Sequence, residues 1–186
     1  MGGTKIAVAH SLYNCIAFEN ANHGFTDNSN PGPITLTNCT SYNNALKGGT
    51  NKSNFDFARL PESNNSLTNC LSYAPQQICS DKFIGSMKNS VFYNKDKKIY
   101  YFYEDMPYTN WNSKEGTILP SDTMETVSNS TFVSVEVPEF GANVHKLWRN
   151  PDGSINMGNF LKVADGTTYK DRQIGADLSG DPTILP

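Results

Sequence analysis

The chain has 186 residues, enough for one domain with its own core, and its 15 Lys+Arg against 18 Asp+Glu leave a formal charge of −3, which excludes binding of nucleic acid or an anionic membrane by bulk charge. Only 18% of the residues are charged, yet the mean hydropathy is −0.50, so the polarity comes from Asn, Ser and Thr, which compete for backbone hydrogen bonds and favour turns. With 14 Gly, 10 Pro, 9 Tyr and 10 Phe, this composition argues against a helical bundle and against disorder, and points to β structure.

The first ten residues, Met1 to His10, carry one cation and an apolar stretch of about four residues, shorter than the ~7–15 of a secretory core, so no export signal is predicted there. No apolar run approaches the ~20 residues of a membrane-spanning helix. From Ser11 the chain begins to repeat itself. Ser11-Leu12-Tyr13-Asn14-Cys15-Ile16-Ala17-Phe18 is echoed by Thr35-Leu36-Thr37-Asn38-Cys39-Thr40-Ser41-Tyr42, by Ser66-Leu67-Thr68-Asn69-Cys70-Leu71-Ser72-Tyr73 and by Ser86-Met87-Lys88-Asn89-Ser90-Val91-Phe92-Tyr93. Val127 to Phe132 is a degenerate fifth copy. The template asparagines are 24, 31 and 20 residues apart, a drifting period without amphipathic helical pattern, and that predicts an all-β, parallel β-helix whose coils differ in the length of their loops. In such a solenoid each coil adds strands about 4.8 Å above the last, so equivalent residues stack. Asparagine suits the bends, because it tolerates left-handed backbone angles and its amides can bond along a stack.

The same register places Cys15, Cys39 and Cys70 directly after the stacked asparagines, with Ser90 in the fourth place. They are predicted to be small, reduced, buried residues, because parallel Cβ vectors on adjacent coils are poorly disposed for a disulfide and the spacing does not suit a metal site. Cys79 falls outside the register. Between the first two copies lies Gly24-Phe25-Thr26-Asp27-Asn28-Ser29-Asn30-Pro31-Gly32, a bend dense in hydrogen-bonding groups. Asp27, Asn28 and Asn30 are the candidates there for sugar contact, against the plainer reading of a turn closed by Pro and Gly.

Further along, residues 94–122 depart from the template and are expected to form a long excursion; its aromatic run Ile99 to Tyr103 reads as a strand packed on the coil or as a sugar-stacking platform. His10, His23 and His145 have no nucleophile set beside them, although His23 adjoins the candidate bend. The Asn-x-Ser/Thr matches Asn38-Cys39-Thr40, Asn64-Asn65-Ser66 and Asn129-Ser130-Thr131 are of the kind chance supplies in so Asn-rich a chain. The whole chain, 1–186, reads as a single β-helix domain, with coils over about 5–135 and a closing segment over 136–186 in which Phe160 to Leu178 covers the last coil. The other end carries no such cover, and self-association through an open first coil is expected.

Two groups of residues carry a resemblance. Asn14 to Asn20 followed by His23 to Gly32, and then Phe132-Val133-Ser134-Val135, Arg149 to Ser154, Phe160 to Thr167 and Ile174 to Asp177, together resemble the late coils of family 9 polysaccharide lyases, the pectate lyases, and so imply a right-handed parallel β-helix. The likeness runs from about Met1 to Asp177 and rests on the order and number of motifs, each of which is weak alone. It implies a secreted parent enzyme that cleaves the acidic plant polysaccharide polygalacturonate by β-elimination. Calcium held by aspartates would neutralise the uronate carboxylate, and a lysine would remove the C5 proton.

In that family the lysine lies in a Gly-Phe-Lys stretch followed by an apolar residue and a Gly-Gly pair. Here Met1-Gly2-Gly3 matches only the end of it, so the resemblance places the base and the calcium aspartates before Met1. The chain is therefore expected to be the C-terminal part of a lyase, truncated at its N-terminus and inactive alone, with no catalytic residue and no metal ligand of its own. A single aspartate makes no calcium site. Lys5 is the one basic side chain near the missing site and joins Asp27, Asn28 and Asn30 as a candidate substrate contact. A non-catalytic polysaccharide-binding or structural solenoid is the rival reading.

Overall fold

The computed structural model describes residues 6–47, 52–57, 64–74, 80–93, 99–102, 106–108, 119–120, 126–138 and 149–179. The four template copies each make a bent pair of strands, and a third strand follows in each of the first three coils. The first coil contains β1 (His10–Tyr13), β2 (Ile16–Phe18) and β3 (Phe25–Thr26), and the second β4 (Ile34–Thr37), β5 (Thr40–Tyr42) and β6 (Phe55–Phe57). The third contains β7 (Ser66–Thr68), β8 (Leu71–Tyr73) and β9 (Lys82–Phe83), and the fourth β10 (Gly85–Lys88) and β11 (Ser90–Tyr93).

Strands of successive coils pair in parallel and form three sheets, with β1, β4, β7 and β10 in the first, β2, β5, β8 and β11 in the second, and β3, β6 and β9 in the third. The chain is thus a parallel β-helix. Register follows the template residue by residue: Leu12 lies beside Leu36, Leu36 beside Leu67 and Leu67 beside Met87. The template asparagines fall at the sharp bend between the first two sheets, where Asn14, Asn38, Asn69 and Asn89 all have φ between 44° and 55°. Asparagine enters this left-handed region at lower cost than other residues with a Cβ. Along the file, Asn89 Nδ2 donates to Asn69 Oδ1 at 2.7 Å and Asn69 Nδ2 to Asn38 Oδ1 at 3.3 Å.

Cys15, Cys39 and Cys70 are free thiols. Each turns back to the carbonyl two residues before it, Tyr13, Thr37 and Thr68 in turn, and Ser90 Oγ makes the same bond to Lys88. That shared geometry explains why serine can take the fourth place. Cys79 lies outside the described residues.

Two cores share the second sheet. Inside the coil, Leu36, Phe55, Leu67, Phe83, Met87 and Phe92 are buried together, with Phe55 stacked between Phe25 and Phe92 at ring separations of 5.4 Å on each side. Outside it, Tyr42, Leu71 and Val91 pack against Phe132, Phe160, Leu161 and Tyr169. This second core corrects the expected role of 160–178. The segment lies along the flank of the solenoid, from the first coil to the fourth, and does not sit over its end.

The last coil is covered by the excursion. Strands β12 (Ile99–Phe102), β13 (Met106–Tyr108) and β14 (Leu119–Pro120) add in antiparallel sense, β13 to β10, β12 to β11 and β14 to β12. The aromatic run is therefore a strand as far as Phe102; Tyr103 lies outside the described residues.

Candidate functional site

The bend that follows β3 is built by its own polar side chains. Asn28 adopts a left-handed backbone, φ 48°, and its N–H donates to Thr26 Oγ1 at 3.1 Å. The turn closes with the Asn30 N–H on the Asp27 carbonyl at 2.9 Å. Asn30 then ties this turn to the segment ahead of β1. Its Nδ2 donates to the Val8 carbonyl at 2.7 Å and its Oδ1 accepts the N–H groups of Val8 and Gly32 at 3.2 Å each. A Cβ at position 32 would collide with the Val8 backbone, so glycine is required for that approach.

These contacts separate the four sequence candidates. Asp27 is 2% exposed and Asn30 6%, which turns both inward as parts of the scaffold. Asn28 is exposed, and Lys5 lies outside the described residues. Asp27, Asn28 and Asn30 thus share one bend, but only the middle one offers its side chain to solvent.

Beside the bend runs a polar file that the sequence reading passed over apart from His23. In the third sheet Phe25, Phe55, Phe57 and Phe83 turn into the coil, and the alternate positions Thr26, Asp56 and Lys82 stand opposite one another on the outer face. His23 Nδ1 lies 3.5 Å from Asp56 Oδ2 and 3.3 Å from the Ser53 N–H. One nitrogen cannot serve both at once: the neutral ring accepts from Ser53, and a proton on Nδ1 instead bonds to Asp56. The alternation Phe55-Asp56-Phe57 is the signal that would have shown this file. At the next corner, a buried amide network joins Asn44 to Asn54 at 3.0 Å and Asn54 to Ser72 Oγ at 3.0 Å. Gly24 lies against it, and a methyl there would strike Ser41 Oγ, Asn44 Nδ2 and the Asn54 carbonyl.

Over 167 residues, 90% of its length, the chain is 34% identical to pectate lyase L of Paenibacillus polymyxa. The chain is related to the family 9 pectate lyases. A stretch of 28 residues, 15% of this chain and 7% of the relative, is 64% identical to pectate lyase PEL9 of Emericella nidulans. No protein-family model and no solved structure matches. The chain spans 29% of the length of pectate lyase L, so most of that pectate lyase has no counterpart here. Among the described residues of this pectate lyase relative, no three His, Cys, Asp or Glu side chains come together as metal ligands would. Asp81 Oδ1 accepts the Phe55 N–H at 2.9 Å, and Asp56 sits by His23, so these acids are spread over separate positions and no step through calcium is assigned to them.

Proposed function

We propose that this chain forms the final coils of a secreted, calcium-dependent pectate lyase that cleaves polygalacturonate by β-elimination, and that it is inactive alone. The observation that carries this reading is the identity to pectate lyase L along 90% of the chain but only 29% of the relative. The fold supports it. Strands β12 to β14 run antiparallel at one end of the solenoid, so further parallel coils have their place before β1. Those preceding coils would hold the base lysine and the calcium aspartates, and calcium bound there would acidify the C5 proton of the uronate. Within this chain Asn28 and Lys5 are the residues proposed to touch sugar, while Asp27 and Asn30 hold the backbone of the bend that carries Asn28.

The test is direct. The 186-residue chain, given polygalacturonate and calcium, is expected to release no unsaturated uronide by absorbance, whereas the chain joined to the segment encoded ahead of it is expected to turn over. Robust elimination by the 186 residues alone would refute the missing base. Retention of polygalacturonate by the extended chain without turnover would favour a binding solenoid.

A further inference from the structure

His23 holds one ring nitrogen between two partners that make opposite demands. Its Nδ1 lies 3.3 Å from the Ser53 nitrogen and 3.5 Å from Asp56 Oδ2; the Ser53 N–H needs a lone pair there, and the carboxylate needs a proton. The Ser53 backbone is fixed on its other sides. Its carbonyl accepts the Gly24 N–H at 3.2 Å and its hydroxyl donates to the Phe55 carbonyl at 2.8 Å, and the space against Gly24 is too tight for a methyl group. The side chains of His23 and Asp56 are 17% and 19% exposed, so water screens the pair only in part, while the ring still exchanges protons with solvent. Imidazole is the side chain whose charge ordinarily changes near pH 6.5.

The charge on the outer face of the third sheet depends on this ring. Asp56 stands on that face between Thr26 of β3 and Lys82 of β9, each about 4.8 Å away along the stack. With His23 neutral, Asp56 and Lys82 offset each other. With His23 protonated, the ring matches Asp56 and the face carries one positive charge more. The other charged groups around it among the described residues leave that difference in place. Lys52 precedes Ser53 in the chain and is positive in both states, Asp27 and Asp81 are buried, with Asp81 Oδ1 on the Phe55 N–H, and Glu19 belongs to the preceding corner, where its N–H meets the Tyr42 carbonyl.

We propose that His23, Asp56 and Lys82 form a proton-switched contact for the carboxylates of an acidic polysaccharide, in which Lys82 meets a uronate carboxylate and His23 sets whether Asp56 opposes it. The face follows on from the bend that carries the exposed Asn28, and the choice of polygalacturonate as the ligand rests on the lyase reading. A uronate stays ionised well below neutral pH, as carboxylates with values of about 3–4 do, so between mildly acidic and alkaline solution only the protein changes charge. The contact tightens in acid and loosens in alkali. It positions sugar, and no bond is made or broken there.

The test is calorimetric binding of trigalacturonate to the 186-residue chain at about pH 5.5 and about pH 8, with a chelator present. The parent should bind at least about threefold tighter at the lower pH, the effect of one added charge at a partly screened site. His23→Gln should bind equally at both values, Asp56→Asn should bind in alkali as tightly as the parent does in acid, and Lys82→Met should lose at least about threefold in acid. Equal binding by the parent at the two values, no binding at either, a pH dependence that survives His23→Gln, or an unchanged Lys82→Met would each overturn the contact. Elimination by the extended chain judges the lyase reading separately: turnover without pH-dependent binding removes the contact and keeps the reading, and pH-dependent binding without turnover does the reverse. If a variant fails to fold, NMR of the parent decides. The Ser53 amide signal should move with the titration of the His23 ring, and a signal constant across that titration would overturn the switch.

Discussion

Asn38 joins three parts of the molecule through one side chain. Its backbone stands at φ 51°, its Oδ1 accepts from Asn69, and its Nδ2 donates to the carbonyls of Gln173 and Gly175 at 2.7 and 3.2 Å. Asn38→Ala should therefore lose both the hydrogen bonds and the left-handed tolerance, a destabilisation of about 2–4 kcal/mol in urea unfolding. Asn38→Gly keeps the backbone angle and should lose less; equal losses would show that the angle is unimportant. The bend after β3 divides in the same way. Asn28→Ala should leave melting unchanged and weaken polygalacturonate binding by the extended enzyme, whereas Asn30→Ala should cost about 1–3 kcal/mol of stability by orphaning the Val8 and Gly32 backbone groups. Burial pushes the Cys70 thiol well above the ordinary thiol range. A raised folded-state value means that its contribution to stability is full below the unfolded thiol value of about 8.5 and is lost as pH rises through the folded one. Urea midpoints should thus fall between about pH 7 and about pH 10, and less so in Cys70→Ser; an unchanged slope in that variant would assign the fall to other groups.

At the scale of elements, the flanking segment shows how a region with little regular structure is held. It has one short helix, α1 (Thr168–Asp171), capped by Thr167, whose hydroxyl accepts the Lys170 N–H. Its order comes from two rows of contacts. One is polar, as Asp177, Gly175 and Arg172 bond to Asn14, Asn69 and Asn89. The other is apolar, as Phe160 meets Phe18 edge-on at 4.9 Å and Tyr42 at 6.1 Å. Phe160→Ala should cost about 3–5 kcal/mol, the usual loss for emptying a buried aromatic site, and should raise dye binding at the uncovered face of the second sheet. A loss below about 1 kcal/mol would mean that the segment is held by its amide bonds alone.

For the molecule as a whole, the two cores lie on opposite faces of one sheet, so neither can open without exposing β5, β8 and β11. A single unfolding transition is expected, with the far-UV signal and exposure of the Cys70 thiol changing together; two separated transitions would mark coils and flank as independent units. Much of this architecture was legible in the sequence. The asparagine bends, the Cys-Cys-Cys-Ser file and the Leu-Leu-Leu-Met file repeat with the coil, and each reflects a preference of the residue itself, for a left-handed angle, for small size or for an apolar interior. Other features arise only when distant segments meet. Asp177 reaches Asn14 across 163 positions, and no local pattern marks the outer ends of the asparagine amides as its partners. Likewise Asp27 and Asn30 look like any polar turn until Val8 closes over Asn30. Local repetition and backbone preference therefore determined the solenoid from the sequence alone, whereas which polar groups face water and where the tail lies were decided by burial, which depends on everything packed above.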